Sequence, residues 1–149
     1  MTLADTALED VDLSNASIQR ATARRVEMLR CRAIGLRLSI EQAADLYVEG
    51  CRLDFAVIHI EKIKGIAAFV GCSFRETVIS GCLSGVVFLD CDFTDTEFEA
   101  ASAKGCDLRM SRLAGARGLL NLRGALITVE QAVSVAHQLA TETGLIIQD

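Results

Sequence analysis

Large apolar residues recur at every fifth position between residues 86 and 115. In fives the stretch reads VVFLD, CDFTD, TEFEA, ASAKG, CDLRM and SRLAG, and five of its six central letters are Phe88, Phe93, Phe98, Leu108 and Leu113. Small residues usually stand two positions earlier, and the other positions are mostly polar. A period of five fits neither an α-helix, at about 3.6, nor a strand, at about 2. The pattern predicts a chain that turns a corner every five residues and stacks on itself.

The same period covers residues 6–127, with residues 1–5 expected to be a disordered end. The repeat is clean over residues 6–20 and degenerate over residues 41–70. Its register slips by one residue at Gly71 and returns by Phe88, which predicts a bulge or a corner loop rather than a domain boundary.

The fives VDLSN, CDFTD and CDLRM resemble the pentapeptide-repeat proteins, whose pattern is a small residue, often Asp or Asn, then Leu or Phe, then two polar positions. The resemblance implies an all-β solenoid, a right-handed quadrilateral β-helix of about five to six coils with four fives per coil. Residues 20 apart would then stack on one face. Two columns test this arrangement: Cys31, Cys51, Cys72 and Cys91, and beside them Leu13, Leu53, Phe74, Phe93 and Leu113.

The cysteines follow the repeat. All six, including Cys82 and Cys106, fall at the small-residue position, which predicts buried thiols. Stacked rungs would hold their Cβ atoms about 4.8 Å apart, farther than the roughly 3.8 Å of a disulfide, so free thiols are expected.

Composition and the absence of known motifs narrow the classes of function that this chain can have. The net charge of −5 argues against general affinity for nucleic acid or anionic membranes, and no Pro interrupts the repeat. No signal peptide and no apolar run of about 18 residues is present, so the cytoplasm is the expected location. Neither histidine has a partner at metal-ligand spacing, and no nucleotide or hydrolase motif occurs. The sequence predicts no enzyme, no metal and no cofactor.

Two positions leave alternatives open. Glu41 and Glu61 occupy the small-residue position one coil apart, where burial would couple them as an acid–base pair, whereas an open corner would leave both in water. A short helix over residues 40–47 is the alternative to a strand there, because Ser39 and Gln42 can form a capping box.

The last segment, residues 128–149, changes character. Thr128 and Gln131 form a second capping box, helical spacing follows, and Gly144 is the expected stop. A helix and apolar tail here predict a cap for the open coil end. Some family members, including those that bind bacterial DNA gyrase, dimerise end to end through a C-terminal helical module. The resemblance implies a homodimer, with a monomeric cap as the alternative. The candidate interface is Val129, Val133, Ala136, Leu139, Ala140, Leu145, Ile146 and Ile147.

Charge supplies the candidate partner surface. Five carboxylates are predicted to face outward from the cleanest repeats, at Asp90, Asp92, Asp95, Glu97 and Glu99. The main hypothesis is a non-catalytic module that presents a rigid surface to a protein partner. The alternative, implied by the resemblance, is a DNA mimic that binds gyrase or another type II topoisomerase and protects against quinolones or toxins. Arginines between residues 20 and 37 count against mimicry, because a mimic should be acidic throughout.

Overall fold

The computed structural model describes all 149 residues and shows a parallel β-solenoid followed by two short helices. The strands are β1 Thr2–Glu9, β2 Ser17–Leu29, β3 Arg37–Glu49, β4 Val57–Ile60, β5 Ile63–Val70, β6 Val78–Cys82, β7 Val87–Asp92, β8 Glu97–Ser102 and β9 Asp107–Arg112. A 3-10 turn at Leu119–Asn121 precedes helices α1 Val129–Ser134 and α2 Ala136–Glu142. The predicted all-β solenoid with a C-terminal helical cap is confirmed.

Every strand pair is parallel and most partners lie 20 residues apart. The sheet order is β8-β6-β4-β3-β5-β7-β9, with β2 beside β3 and β1 beside β2. We number the coils 1 to 6 in steps of 20 from residues 1–20 to residues 101–120. The four faces of a coil follow its fives, so that in coil 3 the first face is 41–45, the second 46–50, the third 51–55 and the fourth 56–60.

The corners explain how a strand turns every five residues. The last residue of most fives has a positive φ, as at Asp5, Asp10, Gly35, Asp45 and Asp90. This left-handed conformation turns the chain through a corner and is easiest for Gly, Asn and Asp. Phe55 also adopts it, with φ 58°, and this residue is 65% exposed.

The predicted gain and later loss of one residue are both present, and each lies a few residues earlier than predicted. The extra residue lies at Gly65–Ile66, where β3 and β5 change register between Ala44 and Leu46, and not at Gly71. The missing residue lies near Gly81, where β6 and β8 change register. Gly81 is required there, because a Cβ atom would stand 2.1 Å from the carbonyl oxygen of Ile60.

One other prediction is wrong, and one open alternative is decided in favour of the strand. Residues 1–5 are not disordered, because β1 begins at Thr2 and pairs in register with β2 from Thr22. Residues 40–47 are not a helix, because all lie in β3, whose backbone groups bond to the coils on either side.

The interior is a single apolar column of 32 buried residues. Aromatic rings fill the later coils: Phe74 and Phe93 stack with centroids 5.2 Å apart, and Phe69 and Phe88 do the same at 5.2 Å. Seven of the eight named repeat centres are buried, and Leu13, in the first coil, is partly buried against the core. With its inward positions occupied by packing, the chain leaves its outward side chains and its ends open to solvent.

Candidate functional site

The five candidate carboxylates lie side by side around one coil and do not form a row parallel to the solenoid axis. Asp90 ends the second face of coil 5, Asp92 and Asp95 belong to the third, and Glu97 and Glu99 belong to the fourth. Asp90, Asp95 and Glu99 are exposed, while Asp92 and Glu97 are half-buried. The structure therefore brings the five together as a half-ring on three adjoining faces.

Basic residues lie one coil beyond this half-ring. Arg112 donates from Nη1 to Oδ1 of Asp90 at 3.2 Å and is the strand partner of Asp92. Arg117 is the bridge partner of Glu97 and donates to the backbone oxygen of Asp95 at 3.4 Å. A row of carboxylates along the solenoid would need acidic residues at these positions.

The Asp92 carboxylate is held by hydrogen bonds from Thr94, two residues later in the same five. Its Oδ1 accepts hydrogen bonds from the Thr94 backbone N–H at 3.0 Å and from the Thr94 hydroxyl at 2.6 Å. Partial burial acts to raise the pKa of Asp92, but these hydrogen bonds outweigh it and the pKa falls below its usual value. This carboxylate stays ionised and shapes the corner between the third and fourth faces.

Charge alternates from coil to coil. The net charges of coils 1 to 6 are −3, +4, −3, +1, −5 and +3. Ion pairs join neighbouring bands: Arg25 of coil 2 binds Asp5 of coil 1, and Arg30 binds Asp10 with Nε–Oδ1 at 3.1 Å. The arginine-rich segment noted in the sequence is thus one ring of a banded surface, and the acidic half-ring is another.

Glu41 and Glu61 are both exposed, so the water-facing alternative is correct and no buried acid pair forms. Ile40 and Ile60, one residue earlier in each case, are 3% and 1% exposed and fill the inward position that the repeat assigned to the glutamates. The isoleucines take it because burying an apolar side chain is favourable and burying a carboxylate is costly.

Five of the six cysteines are buried, and all six are free thiols. Cys31, Cys51, Cys72 and Cys91 form the predicted column, continued by Ser111, whose hydroxyl accepts from the Cys91 backbone N–H at 3.1 Å. These thiols donate to backbone oxygens of the coil before, as Cys91 does to Phe69 at 3.4 Å. The column is part of the core.

Cys82 departs from the prediction that all six thiols point inward. The residue lost near Gly81 shifts Cys82 off the inward position, and it is half-buried. Burial raises the pKa of the Cys106 thiol to about 12. Partial burial also opposes ionisation of Cys82, but hydrogen bonds from Ser102 and Ser84 lower its pKa overall.

The C-terminal segment forms two short helices instead of one. The Thr128–Gln131 capping box is present and Gly144 has φ +86°, as the sequence predicts. Of the candidate interface residues, Leu139 and Ala140 are half-buried and the other six are exposed. Ile146 and Val129 are the most open of these, at 87% and 84% exposed.

The side chains that fasten this cap were missed. Val135 is 2% exposed and packs on the core, and Gln131 donates from Nε2 to the carbonyl oxygens of Leu108 at 2.6 Å and Ser111 at 2.7 Å. A second omission is an apolar strip on the second face, where Val87 and Leu89 are each 39% exposed. Outward valine and leucine at alternate positions of repeats 86–90 were the available signal.

No group of three or more His, Cys, Asp or Glu side chains is placed to hold a metal ion. His59 lies against Ser80, with Nδ1 and the hydroxyl 2.8 Å apart. Neither helix has the length and apolar character that a membrane span requires.

Comparison with known proteins identifies the repeat. Residues 82–117 match the family model described as Pentapeptide repeats, in eight copies. No curated protein matches the chain.

Two solved structures resemble the whole chain weakly. Trypsin-treated QnrB1, a plasmid-mediated fluoroquinolone resistance protein, is 12% identical over 100% of this chain and 92% of its own, with a TM-score of 0.35. Full-length QnrB1 is 14% identical over 93% of this chain and 99% of its own, with a TM-score of 0.30. Similarity at this level carries no argument about function.

Proposed function

Since this chain carries the pentapeptide repeats of that family over residues 82–117 and steps by fives through the other coils, we propose that it is a non-catalytic interaction module. Its rigid solenoid presents a fixed surface to a protein partner. Stacked parallel strands hold outward side chains at set spacings, so little conformational entropy is lost when a partner docks.

The observation that carries this proposal is the number of large apolar side chains left in solvent. Fifteen remain exposed, and they include Phe55, Val87 and Leu89 on the solenoid. Grouped exposed apolar residues are typical of surfaces that contact other macromolecules.

Affinity purification of the tagged chain from its source cells tests the proposal. We expect a protein recovered near equimolar amounts that rebinds the purified chain. Recovery of no protein that rebinds would contradict it.

A homodimer through the C-terminal segment is part of the proposal. Support comes from Val133, Ile146 and Ile147, which are exposed and are not among the residues that pack on the core. Sedimentation of Val133→Lys/Ile146→Lys should give half the mass of the wild type. These changes are preferable to truncation at residue 127, because truncation would also remove Gln131 and Val135 from the coil end. A monomeric wild type would refute the dimer.

The second candidate is a DNA-mimicking inhibitor of gyrase or another type II topoisomerase that gives quinolone or toxin protection. The observation in its favour is coil 5, with five acidic residues and no basic one. The arginines of coil 6 and the alternating bands weigh against it, because duplex phosphates form unbroken rows. A supercoiling assay at micromolar protein distinguishes the candidates: the interaction module predicts no inhibition and no relief of quinolone poisoning.

A further inference from the structure

The second face carries a continuous apolar strip across coils 3 to 5. Tyr47 pairs in register with Ala68, which pairs with Val87, and these side chains form one outward column. Beside it, Val70 pairs with Leu89. We call Tyr47, Ala68, Val70, Val87 and Leu89 the apolar strip.

Carboxylates frame the strip. Six acidic and two basic residues lie on the second face, net −4, whereas no other face of the solenoid is more negative than −1. The acidic residues are Glu9, Asp10, Glu27, Glu49, Asp90 and Asp107, and the basic ones are Arg30 and Arg109. Arg30 pairs with Glu9 and Asp10, Arg109 with Asp107, and Arg112 of the third face with Asp90, which leaves Glu27 and Glu49 without a basic partner. Most of the net charge of −5 therefore lies on the same face as the strip.

Two of these carboxylates, Glu27 and Glu49, have no basic partner within the chain. Glu27 is exposed, precedes Tyr47 in its column and has no basic side chain within ion-pair distance. Glu49 stands between Leu29 and Val70 in the second column, and its carboxylate accepts one hydrogen bond, from the Tyr47 hydroxyl at 2.7 Å. An apolar centre with unneutralised carboxylates beside it is complementary to an apolar segment flanked by positive charge.

The size of the strip selects the kind of partner. Three rungs about 4.8 Å apart and two outward positions about 7 Å apart cover roughly 200 Å². A stable protein–protein interface needs about 800 Å² on each side. A second copy of this chain is therefore a poor fit for the strip alone, and a short extended segment is a good one.

We propose that the apolar strip binds a short protein segment with an apolar centre and Lys or Arg at the end that lies beside Glu27 and Glu49. The site rests on the proposed function, since it specifies which face of the interaction module holds its partner and what the partner's chemistry is.

Fluorescence anisotropy with two labelled nonapeptides tests the site. Both have a Val-Ile-Val-Ile-Val core, one flanked by paired lysines and the other by paired glutamates. Wild-type protein should bind the lysine peptide with a Kd at or below the high micromolar range and the glutamate peptide at least tenfold more weakly. Val87→Lys and Leu89→Lys should each weaken lysine-peptide binding at least tenfold. Val57→Lys, at a valine 47% exposed on the fourth face, is the matched control and should leave the Kd unchanged.

Circular dichroism establishes that each variant is folded before titration, and two strip variants are used in case one does not fold. Failure of the lysine peptide to bind, equal binding of the two peptides, or equal loss in Val57→Lys would overturn the site. A cellular protein that binds wild type and Val87→Lys equally would also overturn it while leaving the interaction module intact.

Discussion

Arg112 donates a hydrogen bond to Asp90 across the boundary between coils 5 and 6, with Nη1 and Oδ1 3.2 Å apart. The two residues are 22 positions apart in sequence and belong to the most acidic coil and the basic coil after it. The same relation joins Arg25 to Asp5 and Arg30 to Asp10 at the other end of the solenoid. Outward charges in this chain thus contact the next coil as well as solvent, which bears on every interpretation of its acidic surface.

Reversing the charge at Arg112 should destabilise the stack modestly. Arg112→Glu places a sixth carboxylate beside coil 5, so we expect a loss of about 0.5–1 kcal/mol in the free energy of unfolding. The loss should shrink at high salt, because both groups are exposed and screened. Urea denaturation at two ionic strengths measures it. Arg123→Glu is the control, since no carboxylate lies within ion-pair distance of Arg123; equal losses in the two variants would refute pairing between coils.

Removing a ring from the core should be far more costly than removing one from the surface. Phe93 is 0% exposed and stacks on Phe74 at 5.2 Å, so Phe93→Ala should lower the free energy of unfolding by about 3–5 kcal/mol. Phe55→Ala is the matched control, because Phe55 is 65% exposed, and we expect a change within about 0.5 kcal/mol. Similar losses would show that the exposed ring packs in solution.

Gln131 should prove more important than its surface helix suggests. Gln131→Ala removes the donor shared by the carbonyl oxygens of Leu108 and Ser111 and should cost about 1–3 kcal/mol. Hydrogen exchange should then speed up in α1 and in the last coil. Gln138→Ala, at a half-buried glutamine that makes no side-chain hydrogen bond, should leave exchange unchanged. Unchanged exchange in Gln131→Ala would mean that Val135 alone holds the cap.

The thiols should divide into one reactive and five protected groups. Cys82 is half-buried with a lowered pKa, whereas the others are buried, so a disulfide reagent at pH 8 should label one thiol quickly in the native protein and six in denaturant. Cys82→Ser should abolish the fast phase. Fast labelling of more than one thiol would contradict the packed column.

Alkaline pH should destabilise the protein partly through Cys106. Its pKa is about 12 in the folded state against an ordinary value of 9.0, so the folded state keeps a proton that the unfolded state releases. The contribution is fully present below pH 9.0 and is lost as the pH rises toward about 12. Unfolding curves between these limits should be flatter for Cys106→Ala, and an unchanged slope would be inconsistent with the raised pKa.

How far the sequence could predict the structure depended on which forces set each feature. Phe93 and Cys91 were placed correctly because burial at a fixed period is written directly in residue type. The displacement of Cys82 could not be read, because it depends on how a coil with one residue fewer closes against its neighbours. The rise of Ile40 into the core could not be read either, because it accompanies a local change of register where Ile40 pairs with Ala21. The need for glycine at position 81 becomes clear only from the carbonyl oxygen of Ile60, which lies 2.1 Å from where a Cβ atom would stand.

The candidate site was predictable only residue by residue. The outward direction of Asp90 and Glu99 followed from the repeat, but the pairing of Asp90 with Arg112 required the register between coils 5 and 6. Val87 and Leu89 stand in one five and gave a signal there, but the apolar strip as a whole was missed because its members are spread over three coils. Only the stacking of rungs brings them together.

The claim that this chain works by binding a macromolecule without altering it is tested most directly by titration calorimetry of the purified chain with the protein recovered from its source cells, followed by mass spectrometry of both. We predict saturable binding with a fixed stoichiometry and two unchanged masses. A partner whose mass changes on incubation with the chain, or the absence of saturable binding, would contradict the account.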